Sequence, residues 1–382
     1  MDILDKEEYL FTTRVYFKPK SFEDGSPIYR PIHTARLEQL ISMVALLHPF
    51  IYELPSDDNK WNLNLSNYSR LIPNNFYGNR VSLKPEELFK DWRGQYKKYT
   101  QKANEYFKAF YESQKYKYEL KLDLKKFFPS VDPLAVYGIL MEHMPVTLSP
   151  EDIQTFKTAA YKLLVCEIEN LNTEEAQKYY YDSSGITPAY TRGIAQGLPQ
   201  FYFFGNICMI NISQIFDKAY EGKSVYYVDD SYIYTDQKIN DEKDFERQLQ
   251  KINKQIQQEL SNYVKNAKAD TFFTKKISFW DFMDRLLSIN PLCYNVEVHT
   301  KGKSTFTLIG NVRPGEVYLR NLSREASQIG ADIYSSYSEE EDETLFHRTH
   351  ALQQAVYKEI ENAQEHGEES YKEKLERYNK FF

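Results

Sequence analysis

The amino-acid sequence predicts an α+β fold in which an antiparallel sheet is combined with many helices. Residues 118–128, YELKLDLKKFF, alternate apolar and charged side chains, which is the period-two pattern of a half-buried strand. Residues 225–234, VYYVDDSYIY, place two β-forming runs on either side of an Asp-Asp pair, the signal of a tight hairpin. Apolar residues at helical spacing occupy much of the remaining chain.

Helices account for most of the other elements, and their limits follow from apolar periodicity and from proline, glycine and polar turns. Pro49 is expected to interrupt the first helix and Gly94 the second. A Gly/Pro/Ser-rich stretch at 182–197 precedes the fifth helix, and two β-rich runs at 293–299 and 304–309 follow the sixth. In chain order, the predicted helices cover residues 37–48, 85–111, 134–144, 149–171, 201–220 and 241–264.

Length and composition describe an ordinary globular protein. The chain has 382 residues, of which 42% are hydrophobic and 27% charged, and its length allows roughly two or three domains. Three widely separated cysteines form neither a disulfide framework nor a zinc set, which favours a reducing compartment. The longest apolar run, residues 40–54, is broken by His48 and Pro49 and falls short of the ~20 residues that span a bilayer. Because the acidic N-terminus also lacks the basic region of a signal peptide, the sequence predicts a cytoplasmic protein without a membrane segment.

A basic segment stands out against a net charge of −7. Residues 90–126 contain eleven Lys or Arg and five Asp or Glu, a local charge of +6. A local basic stripe sets the field that a phosphate backbone meets, so this segment is a candidate nucleic-acid surface. The alternative is an ordinary solvated helix face. The 32 tyrosines and 24 phenylalanines leave a similar choice between buried core and stacking surface for bases.

Three aspartates are the candidate catalytic residues. Asp123 lies on the polar face of the strand at 118–128, and Asp229 and Asp230 lie at the tip of the predicted hairpin. If these strands are adjacent, the acids form a strongly negative cluster that is costly unless divalent cations neutralise it. Mg²⁺ suits such a cluster, because it is a hard ion that prefers a few carboxylates together with substrate phosphates and water. A second Asp-Asp pair, at 57–58, lacks flanking β-formers and is interpreted as a surface turn.

Three segments around these acids resemble the sequence motifs of reverse transcriptases. Residues 227–230, YVDD, resemble the YxDD box of that family. Residues 122–130, LDLKKFFPS, resemble its first palm motif, an Asp followed five residues later by an aromatic residue. Residues 193–199, GIAQGLP, followed by Asn206 in a helix, resemble its PQG-type second motif. The three segments occur in the family's order over residues 123–230.

This resemblance implies a right-hand polymerase. Residues 1–120 would form the fingers, with a basic helix at 85–117. Residues 121–312 would form the palm, a ferredoxin-like domain with an antiparallel sheet and an insertion of the fingers, and residues 313–382 a short helical region in the thumb position. The implied enzyme is a nucleotidyltransferase that extends a 3′-OH or a protein hydroxyl and releases pyrophosphate.

The resemblance also assigns the metal ligands. Asp123 and Asp229 would be the principal ligands, Asp230 a second carboxylate of the hairpin that is less directly bound, and Leu124 a donor of its backbone carbonyl. The implied cofactor is a pair of Mg²⁺ ions, for which Mn²⁺ can substitute. Two such ions roughly 3.5–4 Å apart stabilise the attacking and the leaving oxygen of a phosphoryl transfer.

Further residues are implied to bind the nucleotide. Phe128 occupies the position of the family's steric gate, whose ring collides with a ribose 2′-OH and so favours dNTPs; the alternative is core filling beside Phe127. Gln196 and Gly197 would approach the incoming nucleotide, since glycine permits close approach of the backbone. The alternative for these two residues is a turn that leads into a helix.

Weaker matches add four basic residues and one hairpin. Arg30 and Arg80 lie in segments that resemble the fingers of bacterial reverse transcriptases, and they are candidates for gripping the triphosphate or the template, because arginine binds phosphate oxygens bidentately. Each is equally a candidate for a surface salt bridge. Lys265 and Lys268 resemble the fourth motif, in which a lysine lies near the leaving pyrophosphate, and the pattern does not choose between them. Residues 305–311 resemble the hairpin that grips the primer end, with a plain β-hairpin as the alternative.

Two departures from the common pattern direct the resemblance toward one branch of the family. Ala195 replaces the proline that precedes the second-motif glutamine in retron and group II intron enzymes, and the segment after Pro199, QFYFF, is bulky and aromatic. That segment lies near the template base in relatives, so its bulk argues against ordinary processive templating. The resemblance is closest in character to bacterial abortive-infection and defence-associated reverse transcriptases, some of which make DNA without a conventional template or prime from their own side chains.

We therefore expect an RNA-directed DNA polymerase that acts in antiphage defence. Its expected partners are dNTPs, an RNA template or a structured noncoding RNA, the DNA product, and a partner protein or a second copy of the chain. One alternative is an RNA-templated RNA polymerase, against which Phe128 argues. Another is a catalytically silent nucleic-acid-binding sensor of phage, against which the presence of all three acids argues.

Overall fold

A computed structural model gives the protein a mixed α+β fold with antiparallel sheets, as the sequence predicts. Across the described ranges, no helix combines the length and the apolar character that a bilayer crossing needs. Several predicted features lie outside the described residues: the Asp-Asp pair at 57–58, most of the stretch at 182–197 and most of the region 313–382. The described residues are 10–23, 26–51, 67–82, 84, 87–145, 148–170, 193–270, 294–312, 347, 349–354, 357–358 and 361.

Within these ranges, seven strands form two sheets. In chain order they are β1 (Phe11–Glu23), β2 (Ser26–Thr34), β3 (Tyr118–Asp123), β4 (Cys166–Ile168), β5 (Gly222–Tyr227), β6 (Asp230–Thr235) and β7 (Thr305–Leu308). The first sheet has the order β2-β1-β4, in which β1 and β2 are antiparallel and β4 runs parallel to β1. The second sheet is antiparallel throughout and has the order β5-β6-β3-β7.

Eight α-helices have defined bounds, and capping residues fix where several of them begin. In chain order they are α1 (Leu37–Ile51), α2 (Asn67–Leu71), α3 (Trp92–Ser113), α4 (Phe127–Ser130), α5 (Pro133–Glu142), α6 (Pro150–Leu164), α7 (Pro199–Tyr220) and α8 (Glu242–Ala269). The carboxylate of Asp91 accepts from the backbone N–H of Gly94 at 2.9 Å, so α3 begins later than predicted and runs through that glycine. Ser149 and Asp152 form a capping box at the start of α6.

The structure corrects three other predicted boundaries. The helix expected over 149–171 ends at Leu164, because Cys166 continues the chain as a buried strand against β1. Pro49 does not interrupt α1, because the helix continues to Ile51, although the proline removes one backbone donor from the last turn. Of the β-rich run at 293–299, the described residues form a single bridge, between Val298 and Leu124, rather than a strand.

The four-stranded sheet is covered on both faces, and this arrangement determines where a site can lie. Leu120, Leu122 and Ile233 belong to the main apolar core, together with residues of α5, α7 and α8. On the opposite face, Val225 and Tyr234 pack with residues of α3. The hydroxyl of Tyr234 there donates to a backbone oxygen of α3. Because both faces are covered, polar groups that need access to a substrate are expected where strands end, and one such place is the end of the sheet where β3 ends and β5 turns into β6.

Candidate active site

Asp123 and Asp230 face each other across two neighbouring strands. Asp123 is the last residue of β3 and Asp230 the first of β6, and the two are paired in the register of the antiparallel ladder. Directly paired residues in such a ladder project to the same face, with Cβ atoms about 4.5–5.5 Å apart. Because Leu122 belongs to the main core, both carboxylates project away from that core, at the end of the sheet.

Asp229 belongs to the two-residue turn that joins β5 to β6. Tyr227 and Asp230 close this turn as paired residues, with Val228 and Asp229 between them, so the hairpin predicted from the sequence is present. Val228 has a φ of 55°, a left-handed conformation that costs a non-glycine residue roughly 1–3 kcal/mol. Contacts around the turn must therefore hold it in place.

The loop at 75–79 supplies part of that support by pairing with β5. The backbone N–H of Tyr226 donates to the backbone oxygen of Asn75 at 2.9 Å, and the N–H of Tyr77 donates to the oxygen of Tyr226 at 2.8 Å. The side chain of Asn75 also donates to the hydroxyl oxygen of Ser224 at 3.0 Å. These bonds fix β5 immediately before the turn.

Gly78 and Asn206 secure the same loop against the turn. A Cβ on Gly78 would lie 2.7 Å from the backbone nitrogen of Val228, so only glycine allows this close approach. The side-chain nitrogen of Asn206, which is buried in α7, donates to the backbone oxygen of Gly78 at 2.8 Å and to that of Asn79 at 3.1 Å. The second-motif asparagine thus holds the loop on which the Asp229 turn rests.

The electrostatics of the turn reflect the crowding of negative charge. The pKa of Asp229 is raised to about 7. Burial is the largest cause, and the negative charges of Asp230 and Asp123 add to the rise. Arg30, which is exposed on β2, acts on Asp229 in the opposite direction. The positive charge of Arg30 therefore offsets only part of the rise in pKa that burial and the two neighbouring carboxylates cause.

Magnesium fits this set of donors. Asp123, Asp229 and Asp230 supply the carboxylate oxygens that the ion prefers, and Leu124, buried directly after β3 and bridged to Val298, continues the same strand. In the part of the chain that the structure describes, no group of three or more His, Cys, Asp or Glu side chains is by itself arranged to hold a metal ion. Since Mg²⁺ usually takes only one or two carboxylates and completes its shell with water and substrate phosphates, such an ion does not require a closed group of protein ligands.

Two basic residues that no sequence motif indicated lie close to Asp123. The Nε2 atom of His299 lies 3.8 Å, and the Nζ atom of Lys303 3.9 Å, from Oδ2 of Asp123. Backbone bonds hold this segment at the end of β3: the N–H of His299 donates to the oxygen of Asp123 at 2.9 Å, and the N–H of Asp123 donates to Oγ of Ser304 at 3.3 Å. The sequence signals only a Lys-Gly-Lys turn here, because what the turn faces depends on the pairing of β7 with β3.

The loop before α7 packs on β2. The backbone N–H of His33 donates to the oxygen of Gln196 at 2.7 Å, and a Cβ on Gly197, whose φ is 113°, would collide with the backbone oxygen of His33. At the other end of the loop, the N–H of Ile194 donates to the oxygen of Phe128 at 3.0 Å. The segment with the two predicted nucleotide-binding residues is thus tied both to the β1–β2 hairpin and to the segment that follows β3.

Phe128 lies in an aromatic cluster with Tyr202 and Phe89. The rings of Phe128 and Tyr202 meet edge to face, with centroids 6.0 Å apart at 88°, and Tyr202 meets Phe89 in the same way at 6.3 Å. Phe128 is 7% exposed and Phe127 is 2% exposed. Only a small part of the Phe128 ring is therefore available to a bound sugar.

The remaining predicted residues have other surroundings. Arg80 is half-buried, and its Nη1 atom donates to the backbone oxygens of residues 72–73 at 3.0 and 2.9 Å, so its guanidinium group stabilises its own loop. Lys265 and Lys268 are exposed near the C-terminal end of α8. Residues 305–311 form β7 and a short 3₁₀ turn, and β7 pairs with β3 rather than forming a hairpin of its own.

No protein-family model and no curated protein matches the chain. Its function therefore has to be inferred from its own residues. The strongest feature is the convergence of Asp123, Asp229 and Asp230 at one end of the antiparallel sheet.

Proposed function

We propose that the protein is an RNA-directed DNA polymerase that transfers nucleotides with the help of two Mg²⁺ ions. The observation that carries this proposal is the pairing of Asp123 with Asp230 across β3 and β6, with Asp229 in the adjoining turn. Acids from two segments that are distant in sequence meet at one end of the sheet. Burial and mutual repulsion there raise the pKa of Asp229 to about 7. Such an unfavourable arrangement is expected where a site is built for cations and phosphates.

The groups of the chain itself would bind and orient the substrates. Asp123 and Asp229 would hold the cations, and Arg30, whose charge acts on Asp229, is suited to bind oxygens of the triphosphate. Gln196 and Gly197 would approach the nucleotide from the loop that packs on His33 of β2. Mg²⁺, when bound, would neutralise charge on the attacking and leaving oxygens of the transfer. Positioning and charge neutralisation would then supply most of the rate.

A right-hand polymerase architecture belongs to the same proposal. The order β5-β6-β3-β7, with helices α5, α7 and α8 behind it, is the scaffold of the proposed palm. The β1–β2 hairpin and α3 would belong to the fingers, and the palm would begin with β3 at Tyr118, slightly before the boundary at residue 120. A role in antiphage defence, with an RNA template or noncoding RNA and an accessory protein or second copy, is part of the proposal too.

Incorporation of labelled dNTPs by the purified protein tests the proposal. We expect Mg²⁺-dependent incorporation, with an RNA template and primer or without them, that disappears in the variant Asp229→Asn/Asp230→Asn. Product that stays with the protein through phenol extraction would identify priming from a side chain. An absence of incorporation under every template condition would overturn the proposal, as would unchanged incorporation by the double variant.

An RNA polymerase is the second candidate, because the same arrangement of acids would serve it. Phe128 favours DNA synthesis, since the small exposed part of its ring would collide with a ribose 2′-OH. Competition between dNTPs and NTPs in the same assay distinguishes the two candidates. Full antiphage activity of the Asp229→Asn/Asp230→Asn variant, with RNA binding retained, would instead support the non-catalytic sensor.

A further inference from the structure

Tyr202, in the first turn of α7, contacts the ring of Phe128 and interacts with two other residues that are predicted to bind the nucleotide, Gly197 and Arg30. Its ring meets the ring of Phe128 edge to face at 6.0 Å. Burial raises the pKa of its hydroxyl, and both the positive charge of Arg30 and a hydrogen bond with the backbone of Gly197 oppose that rise, so both groups lie near the hydroxyl. Tyr202 therefore links the proposed steric gate to the proposed phosphate-binding side of the site.

The position of the Phe128 ring depends on α7. The ring lies against Gly205, because a Cβ at that position would be in ordinary van der Waals contact with Cε1 of Phe128, at 3.4 Å. Tyr202 lies three positions earlier, on the same side of the helix, and fills the space beside the ring. Tyr202 is supported in turn by Phe89, at a centroid distance of 6.3 Å. The Phe128 ring cannot swing toward α7 while the ring of Tyr202 is in place.

We infer that Tyr202 is a specificity-determining residue, which holds the ring of Phe128 in position and thereby sets the preference for dNTPs over NTPs. The inference rests on the proposed function. A side chain can exclude a 2′-OH only if it keeps its position when the nucleotide binds, and closely packed aromatic rings move little. Removal of one ring leaves a cavity into which its neighbour can move, and the excluded hydroxyl then gains space.

The ring and the hydroxyl of Tyr202 have separable effects. The ring supports Phe128, so its loss changes the choice of sugar. The hydroxyl lies near Gly197 and Arg30, so its loss affects how tightly any triphosphate binds, whatever its sugar. A phenylalanine at this position therefore keeps the sugar preference and raises KM, whereas an alanine lowers the preference itself.

The decisive quantity is the ratio of kcat/KM for dGTP to that for GTP, which differ only in the 2′-OH. It is measured with Mg²⁺ on poly(rC) primed with oligo(dG), for the wild type and the variants Phe128→Ala, Tyr202→Ala and Tyr202→Phe. Tyr118→Ala is the matched control, because Tyr118 is also half-buried and packs on an aromatic ring, that of Phe306 at 6.4 Å, at the other end of β3. Thermal unfolding shows whether each variant is folded.

We expect the ratio to fall at least about tenfold in Tyr202→Ala, since a hydrophobic wall that rejects one hydroxyl gives on the order of 10²-fold discrimination. Tyr202→Phe should keep the wild-type ratio with a KM raised a few-fold for both nucleotides, and Tyr118→Ala should keep the ratio. If Tyr202→Ala does not fold, Tyr202→Leu, which retains bulk without the aromatic edge, is expected to lower the ratio in the same direction. An unchanged ratio in the folded Tyr202 variants, while Phe128→Ala lowers it, overturns the inference and leaves the proposed function intact. A wild type that incorporates neither nucleotide, on this template, on any other or without one, overturns both.

Discussion

Asp123 has a carboxylate group that a cation would bind, and two basic side chains lie beside the same group. Lys303 and His299 lie just under 4 Å from its Oδ2 atom. Without a cation, the ammonium group of Lys303 offsets part of the repulsion among the three acids. A cation that binds at Asp123 must compete with these basic groups for the carboxylate, so they lower the affinity of the site for cations.

The variant Lys303→Gln should bind divalent cations more tightly than the wild type. Because Lys303 is more than half exposed, its competition is weak, and we expect the Kd for Mn²⁺ to fall only about twofold to fivefold. Titration of Mn²⁺ in the absence of nucleotide, followed by electron paramagnetic resonance, measures the change. Lys301→Gln is the control, since Lys301 pairs with Glu246 instead. Equal Kd values in wild type and Lys303→Gln would refute the competition.

His33 couples the folding of the β1–β2 hairpin to pH. Burial lowers the pKa of this side chain to about 4, and a hydrogen bond with the backbone of Gln196 partly opposes the shift. In the unfolded chain a histidine titrates near 6.5. Between these two values the unfolded state binds a proton that the folded state does not, so stability is lost as the pH falls from about 6.5 toward 4.

Between pH 7.5 and pH 5, His33 should therefore cost the wild type about 2 kcal/mol of unfolding free energy. The variant His33→Asn lacks this titration, so its stability should depend less on pH by the same amount. Urea denaturation at the two pH values, performed on both proteins, gives the comparison. If both proteins lose the same free energy on acidification, His33 does not titrate in this way.

At the scale of elements, the β5–β6 turn depends on the loop beneath it. Gly78→Ala would place a methyl group 2.6 Å from Cγ2 and 2.7 Å from the nitrogen of Val228, so the turn or the loop must shift. Because a displacement of about 1 Å in a catalytic group can cost on the order of 10²-fold in rate, we expect nucleotide incorporation to fall at least about tenfold. Incorporation assays and thermal unfolding measure the two effects.

Gly94→Ala is the matched control for this prediction. Its new methyl group would meet only the side-chain oxygen of Asp91 at 3.4 Å, and alanine is favoured over glycine within a helix by up to ~1 kcal/mol. Incorporation by Gly94→Ala should equal that of the wild type. A Gly78→Ala protein that incorporates nucleotides at the wild-type rate would show that the turn does not rest on this loop.

Local patterns predicted the elements that carry the acids, but not their surroundings. The alternation before Asp123 and the β-formers around Asp229 define β3 and the hairpin, because each pattern lies within about ten residues. The position of Lys303 beside Asp123 and the support that Gly78 gives to the β5–β6 turn depend on pairing between distant segments. Local hydrophobic periodicity and secondary-structure propensity do not encode such pairing. The helix predicted through residue 171 was wrong for the same reason, since β1 recruits β4 as a parallel strand.

At the scale of the whole molecule, a net charge of −7 coexists with a basic surface on α3. Lys97, Lys98 and Lys108 are exposed on this helix, whose buried side packs on the face of the sheet opposite the main core. If the surface contacts a single-stranded nucleic acid, each phosphate contact contributes about 0.7 to the slope of log K against log salt.

Replacing Lys97, Lys98 and Lys108 together with glutamine should weaken the binding of labelled single-stranded RNA and reduce that slope by up to about 2. Fluorescence anisotropy at several salt concentrations measures both quantities. The control variant changes three exposed lysines of α8, on the other side of the sheet: Lys243, Lys251 and Lys254. A salt dependence that changes equally in both variants would exclude α3 as a specific contact surface.

The most direct test of the central claim is the number of divalent cations that the acidic cluster binds together with a nucleotide. Electron paramagnetic resonance should detect two bound Mn²⁺ ions per chain in the wild type with saturating dGTP. Asp123→Asn should lose at least one of them, whereas Glu221→Gln, which changes an exposed acid just before β5, should retain both. Equal Mn²⁺ binding by wild type and Asp123→Asn would contradict the account.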